Sequence, residues 1–193
     1  MNVLILNASP RPEGNTTIAV NEMVKVFEEE GIGVKVIRIG NKDIRGCVAC
    51  NSCSGSGKCI FDDEVNEIAK DFEAADGLVV ASPVYYASAN STLTACLDRL
   101  FYSSSFDKTM KVGASIAVAR RGGCSAAFDQ LNKYFSISQM PIISGRYWNM
   151  VHGSTPSDVL KDEEGCQNLK IVAQKISIDI HFYHKKLAKT LNM

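Results

Sequence analysis

The feature that most constrains this chain is the regular alternation of short apolar runs with helix-like segments along most of its 193 residues. "NVLIL" (Asn2–Leu6) reads as a buried strand. Thr16–Glu30 follows as a helix, with Ile18, Val20, Val24 and Phe27 near helical spacing and Gly31 just past its end. "VKVIRI" (Val34–Ile39) alternates apolar and basic residues, as a strand near a sheet edge does. The same reading gives a helix over Asp63–Ala75, with Asp62 or Asp63 as N-cap, and a buried strand at Gly77–Ser82. A helix at Ser91–Tyr102, a strand at Gly113–Ala119 and a helix at Ser125–Phe135 come next. "PIIS" (Pro141–Ser144) reads as a short fifth strand, and residues 145–162 as a long irregular segment. A helix over about 163–191 closes the chain. Strands and helices in alternation predict an α/β fold with a five-stranded parallel sheet covered on both faces. The whole of 1–193 is expected to form one domain.

In such sheets ligands bind beyond the carboxyl ends of the strands. The loop after the first strand, "NASPRPEGNTT", lacks the Gly-Lys-Ser/Thr ending of a P-loop and the G-x-G-x-x-G dinucleotide pattern. It offers the hydroxyls of Ser9, Thr16 and Thr17, the Asn15 amide, the Arg11 guanidinium and a helix N-terminus. That set suits a single phosphate. It equally suits a capped helix after a Pro-rich turn, with Asn15 or Thr16 as the cap. After the third strand, "SPVYYASAN" presents Pro83, Val84, Tyr85 and Tyr86, apolar and aromatic surface beside free backbone N–H groups. After the fourth, "ARRGGCS" places Arg120 or Arg121 beside Gly122 and Gly123, which let a backbone approach a ligand closely.

Four of the seven cysteines, Cys47, Cys50, Cys53 and Cys59, fall in one loop at 46–62 with the spacing C-x2-C-x2-C-x5-C. Three thiolates at one short interval, with a fourth on a longer glycine-bearing arm, suit an iron–sulfur cluster. Four thiolates also suit tetrahedral zinc, although zinc sites more often show two separated pairs. A redox disulfide between Cys50 and Cys53 and four reduced thiols are the other readings. Cys96 reads as core, because a free cysteine behaves as a small hydrophobe. His152 is given no catalytic role, and His181 and His184 are expected to face solvent or a partner subunit. Trp148 or Tyr147 is read either as a cover for a bound ring or as the anchor of a surface loop.

"ILNASPRPEGNTT", "SPVYYASANSTLTACLDRL" and "RRGGCSAAFDQL" resemble the NADPH-dependent FMN reductase family, and the cysteine run resembles its iron–sulfur flavoprotein branch. The resemblance implies a flavodoxin-like three-layer sandwich with FMN at the carboxyl ends of the strands. It implies that Ser9, Arg11, Asn15, Thr16 and Thr17 hold the FMN phosphate and that Pro83, Val84, Tyr85 and Tyr86 lie at the flavin. It places the loop of Arg120, Gly122 and Gly123 beside the ring, with Cys47, Cys50, Cys53 and Cys59 ligating a 4Fe-4S cluster. It further implies an oxidoreductase with NADPH or NADH as transient donor, assembled as a homodimer or tetramer. The acceptor is expected to be a small molecule or a ferredoxin-like protein. Lys+Arg and Asp+Glu balance at 21 each, so no strong field draws the chain to nucleic acid or an anionic membrane. With no apolar run near the ~20 residues that span a bilayer, the expected compartment is the cytoplasm.

Overall fold

The computed structural model describes residues 1–191, with side-chain surroundings described through residue 185. Five strands form one parallel sheet: β1 (Asn2–Asn7), β2 (Gly33–Arg38), β3 (Gly77–Tyr85), β5 (Val112–Ala119) and β6 (Met150–His152). Their order is β2-β1-β3-β5-β6, the flavodoxin-like order of a doubly wound fold. β4 (Ser88–Ala89) is two residues long and pairs antiparallel with the far end of β3. Helices α1 (Asn15–Glu29), α2 (Cys53–Ser56), α3 (Glu64–Ala74), α4 (Ser91–Ser103), α5 (Cys124–Ile137) and α6 (Glu163–Leu191) complete the layers, with a 3-10 turn at Asp158–Lys161.

Strand alternation distributes the core between two faces. Val3, Ile5, Val79, Ala81, Ala114 and Ile116 point to one side, where α1 and α6 bring Met23, Phe27, Val172 and Ile176. Leu4, Leu6, Leu78 and Val80 point to the other, where α3, α4 and α5 bring Ile68, Phe72, Leu97 and Phe135. The inner strand β5 is buried at every position, as both-face coverage requires. β2, by contrast, keeps several residues exposed and stands at the sheet edge, which explains its interleaved lysine and arginine. α3 begins where Asp63 accepts the Val65 N–H at 3.1 Å, a side-chain N-cap.

The other edge departs from the sequence reading. Pro141–Ser144 is not the fifth strand. Ile142 makes a single parallel bridge with Gly113, and the chain then swings out and returns so that Met150 pairs with Ala117. Side-chain amides satisfy the backbone of that excursion. The Asn168 carbonyl oxygen accepts the N–H groups of Arg146 and Tyr147 at 2.7 and 3.1 Å. The Asn149 amide donates to the Ile143 carbonyl at 2.9 Å. The edge strand is therefore β6, inside the segment whose composition reads as irregular.

Candidate functional site

An open cleft lies at the carboxyl ends of β1, β3, β5 and β6, where ligands bind in sheets of this kind. Ser9, Arg11, Asn15, Thr16, Pro83, Val84, Tyr85 and Arg120 line it, so the structure gathers eight of the twelve residues expected from sequence. Pro10, Gly14, Val118, Ala119, Gly153 and Ser154 also line it. Of Arg120 and Arg121, it is Arg120 that lines the cleft, together with Arg11.

The first wall is built by the turn from β1 into α1. The Asn7 side chain accepts the Ser9 N–H at 2.9 Å and donates to the Thr17 hydroxyl at 3.0 Å. The Ser9 hydroxyl donates to the Arg11 carbonyl and accepts the Arg11 N–H. The loop is thus fixed by its own side chains. α1 starts after Gly14 with no side-chain cap, so neither Asn15 nor Thr16 caps it. The uncapped first-turn N–H groups make a cleft-side helix terminus that suits an anion. Gly40 closes the loop from behind. A Cβ there would stand 2.2 Å from the Ala8 carbonyl oxygen and 2.3 Å from the Ser9 carbonyl carbon.

Four expected residues are placed elsewhere. Thr17 spends its hydroxyl inside the loop, donating to the Arg11 carbonyl at 3.2 Å. Tyr86 is fully exposed at the tip of the β3–β4 hairpin, where it and Ala87 have φ of 49° and 58°. A two-residue turn with both central residues left-handed matches the twist of the strands it joins, and it aims Tyr86 outward. Gly123, with φ of 88°, packs under that hairpin, where a Cβ would meet the Ala87 Cα at 2.8 Å. Gly122 faces open space. Asn15 reaches the cleft, but its amide clamps the far wall: it donates to the Thr155 carbonyl at 2.9 Å and accepts the Val159 N–H at 3.3 Å. Gly153 and Ser154 carry no sequence signal because β6, the strand just before them, lies in the segment whose composition reads as irregular.

Tyr147 and Trp148 lie with ring centroids 5.1 Å apart and border a separate depression with His152 and Asp162. His184 pairs with Asp76 at 2.7 Å while its side chain stays half exposed, in line with the expectation of a solvent-facing ring. Cys124 opens α5, where burial pushes its thiol up to about 11. Cys96 is core, as expected, with burial pushing it up to about 12.

The second constellation is the cysteine loop. Cys47, Cys50, Cys53 and Cys59 all border one small cavity, floored by Arg99, Tyr102 and Ser103 of α4. All seven cysteines are free thiols. Among the described residues no three His, Cys, Asp or Glu side chains converge as a ready metal cage. The four thiols are therefore gathered on one cavity without being fixed at ligand positions. Cys47 and Cys50 are exposed, and hydrogen bonds from Ser52 hold the Cys50 thiol below its ordinary range. Cys59 is held from both sides. Its N–H donates to the Asn66 amide oxygen at 3.0 Å, and its carbonyl accepts the Asn66 amide at 3.1 Å. Its sulfur accepts the Arg99 Nε–H at 3.2 Å. Arg99 also makes a two-pronged ion pair with Asp63, at 2.6 and 2.7 Å. Burial works to raise the Asp63 carboxyl; the Arg99 and Val65 hydrogen bonds outweigh it and hold the group below its usual range.

Residues 1–155 match the model of the family described as NADPH-dependent FMN reductase. An iron–sulfur flavoprotein of Methanocaldococcus jannaschii is 33% identical over 185 residues, covering 92% of this chain and 96% of that protein. One from Methanosarcina thermophila is 28% identical over 180 residues, covering 91% and 93%. In three dimensions the chain resembles the NAD(P)H:quinone oxidoreductase of Methanothermobacter marburgensis, with a TM-score of 0.71 and 14% identity, covering 91% of this chain and 96% of that one. It also resembles a Streptococcus pneumoniae flavodoxin, with a TM-score of 0.62 and 16% identity, covering 92% and 99%. These two likenesses establish the flavodoxin-like fold.

Proposed function

This chain belongs to the NADPH-dependent FMN reductase family, and from that premise we propose an FMN-dependent oxidoreductase that also carries a 4Fe-4S cluster. The observation that carries the FMN assignment is the cleft at the carboxyl ends of the strands, with an uncapped helix N-terminus at one end and an aromatic, proline-stiffened wall at the other.

The residues fit the cofactor. The N–H groups opening α1, with Ser9, Arg11 and Thr16, form the phosphate end. Pro83, Val84 and Tyr85 form the ring end, and Arg120 places positive charge where a reduced flavin gains negative charge. Bound FMN supplies the exchange between two-electron donors, here NADPH or NADH, and one-electron or two-electron acceptors. What the chain itself contributes is placement: Asn7 and Ser9 hold the phosphate turn, and Asn15 ties it to the opposite wall. Asn15 acts through that tie, and Thr17 through the loop, rather than by touching the phosphate.

The four thiols around one cavity fit a cluster by chemistry and by number. A bound cluster supplies one-electron storage. The cysteine cavity and the FMN cleft share no lining residue. Val48, Ile60 and Tyr102 beside the cysteines are 48%, 60% and 64% exposed. Both facts support a homodimer or tetramer in which the cysteine loop of one subunit faces the flavin of another. No helix among the described residues is long and apolar enough to cross a membrane, and a cytoplasmic location is proposed.

Two acceptors are consistent with this assembly, and the cysteine cavity favours the second: a small molecule such as a quinone, or a ferredoxin-like protein. Stopped-flow mixing of the anaerobic holoprotein with NADPH, then with quinone or ferredoxin, separates them. Fast NADPH oxidation with quinone identifies a reductase. Slow NADPH oxidation with rapid electron exchange against ferredoxin identifies a carrier. A protein that retains no FMN overturns both.

A further inference from the structure

Among the described residues Arg99 is the largest fully buried side chain, 1% exposed. A charged group enters such a place only with its hydrogen bonds met. Every guanidinium nitrogen has a partner. Nη1 and Nη2 donate to the two Asp63 oxygens, Nη1 also to the Arg45 carbonyl at 3.3 Å, and Nη2 to the Phe61 carbonyl at 3.5 Å. The remaining donor, Nε–H, is directed at the Cys59 sulfur. The planar fork fixes that direction: with two prongs on Asp63, the third N–H has one place to go.

Cys47 and Cys50 differ. The one protein donor at Cys47 is the Ala49 N–H, at 3.4 Å, and Cys50 is met by Ser52. Neither is a cation. The Asp63 carboxylate opposing Arg99 is also shared, since Oδ1 accepts the Val65 N–H at the start of α3. Part of its charge is thus met by that helix terminus, and Arg99 stays incompletely neutralised beside the sulfur.

We propose that Arg99 is a positioning residue for the cysteine-held cluster, anchoring Cys59 and biasing the cluster toward its reduced form through the Nε–H···S hydrogen bond. The inference rests on the cluster assignment proposed above. Hydrogen bonds to cluster sulfurs are one of the protein's levers on potential. Reduction adds negative charge to the sulfurs, so a buried cation donating to one of them favours the reduced state. The same lever gives Asp63 the opposite sign, because its carboxylate offsets part of the Arg99 charge.

The test is an anaerobic potentiometric titration of the holoprotein, following the cluster by its low-temperature EPR signal. In Arg99→Gln the reduced-to-oxidised ratio at the wild-type midpoint falls about tenfold, as loss of a hydrogen bond to a charged group implies; that is 59 mV for one electron. Arg99→Lys keeps the charge and loses the fork, so its midpoint also falls. In Asp63→Asn, which preserves a good N-cap, the ratio rises. Opposite signs separate tuning from mere support of the fold, which moves both variants alike or neither. Should Arg99→Gln not fold, the sign of the Asp63→Asn shift decides. A cluster-bearing wild type whose midpoint Arg99→Gln and Asp63→Asn leave in place, or shift in the same direction, overturns the role of Arg99 alone. A wild type without iron and sulfide overturns the cluster assignment beneath it.

Discussion

Gly40→Ala tests how the proposed phosphate loop is held. The new methyl would sit 2.2 Å from the Ala8 carbonyl oxygen, 2.3 Å from the Ser9 carbonyl carbon and 2.5 Å from the Ala8 carbonyl carbon. All three are backbone atoms, so no rotamer change relieves the clash. Ordinary contact begins near 3.4 Å, and the Ala8–Ser9 backbone must therefore retreat by about an ångström. Forcing an extra methyl into a packed site costs about 1–3 kcal/mol. Ala8 is anchored by its N–H to the Ala81 carbonyl at 2.8 Å, so part of that cost appears as lost stability. The rest appears as a displaced Ser9–Arg11 turn. Urea unfolding of the apoprotein is expected to show a loss of about 1–3 kcal/mol. FMN titration by fluorescence quenching is expected to show at least about tenfold weaker binding, the equivalent of about 1.4 kcal/mol. Gly55→Ala, with nothing within 4 Å of the new methyl, serves as the control and leaves stability within about 0.5 kcal/mol. An unchanged urea midpoint together with unchanged FMN affinity in Gly40→Ala would refute the reasoning about this close approach.

Other outcomes follow from the same geometry. Asp63→Ala removes the N-cap of α3 and leaves the buried Arg99 charge unpaired, so stability falls by about 3–5 kcal/mol, measured by urea denaturation. Because the folded-state Asp63 carboxyl lies below its unfolded value, its contribution is full above the ordinary carboxylate pKa of about 4 and is lost as pH falls through the lower folded value. Asp63→Asn therefore flattens the acid limb of stability below about pH 4, read by unfolding across pH. Asn15→Ala cuts the tie to Thr155 and Val159; hydrogen exchange at the Val159 amide is expected to accelerate about fivefold or more, for a bond worth about 1 kcal/mol. Cys53→Ser is expected to abolish iron binding and spare FMN, checked by metal and flavin analysis of one sample; stoichiometric iron in that variant removes Cys53 from the ligand set.

Much of the sheet is legible in the sequence because its signals are local. The apolar runs of β1, β3 and β5 announce burial on both faces, and the Val-Lys-Val-Ile-Arg-Ile pattern announces an edge. Since ligands sit past the carboxyl ends of such strands, Ser9, Arg11 and Pro83–Tyr85 could be named without coordinates, whereas the choice between Arg120 and Arg121 could not. What stayed hidden depends on partners distant in sequence. β6 is three residues long, and its preceding excursion is stabilised by Asn168, 20 to 22 residues onward. Gly153 and Ser154 disappeared with it. Tyr86 reads as a flavin contact because nothing in "YYAS" signals a left-handed turn; Gly123 and the tight hairpin impose it. The cysteine spacing is plain, yet the anchor of Cys59 is not, since Arg99 lies 40 residues away in "LDRL", a stretch with no local signal of a buried charge. Its burial is intelligible only once Asp63 and Cys59 are seen beside it.

The central claim is that one chain holds FMN in the strand-end cleft and a cluster at the four gathered cysteines. The most direct test is to purify the protein without oxygen and assay FMN, iron, acid-labile sulfide and zinc on one sample. The account predicts about one FMN with about four irons and four sulfides per chain, as four-thiolate ligation of a cubane requires. Zinc in place of iron, or protein that emerges without flavin, would contradict it.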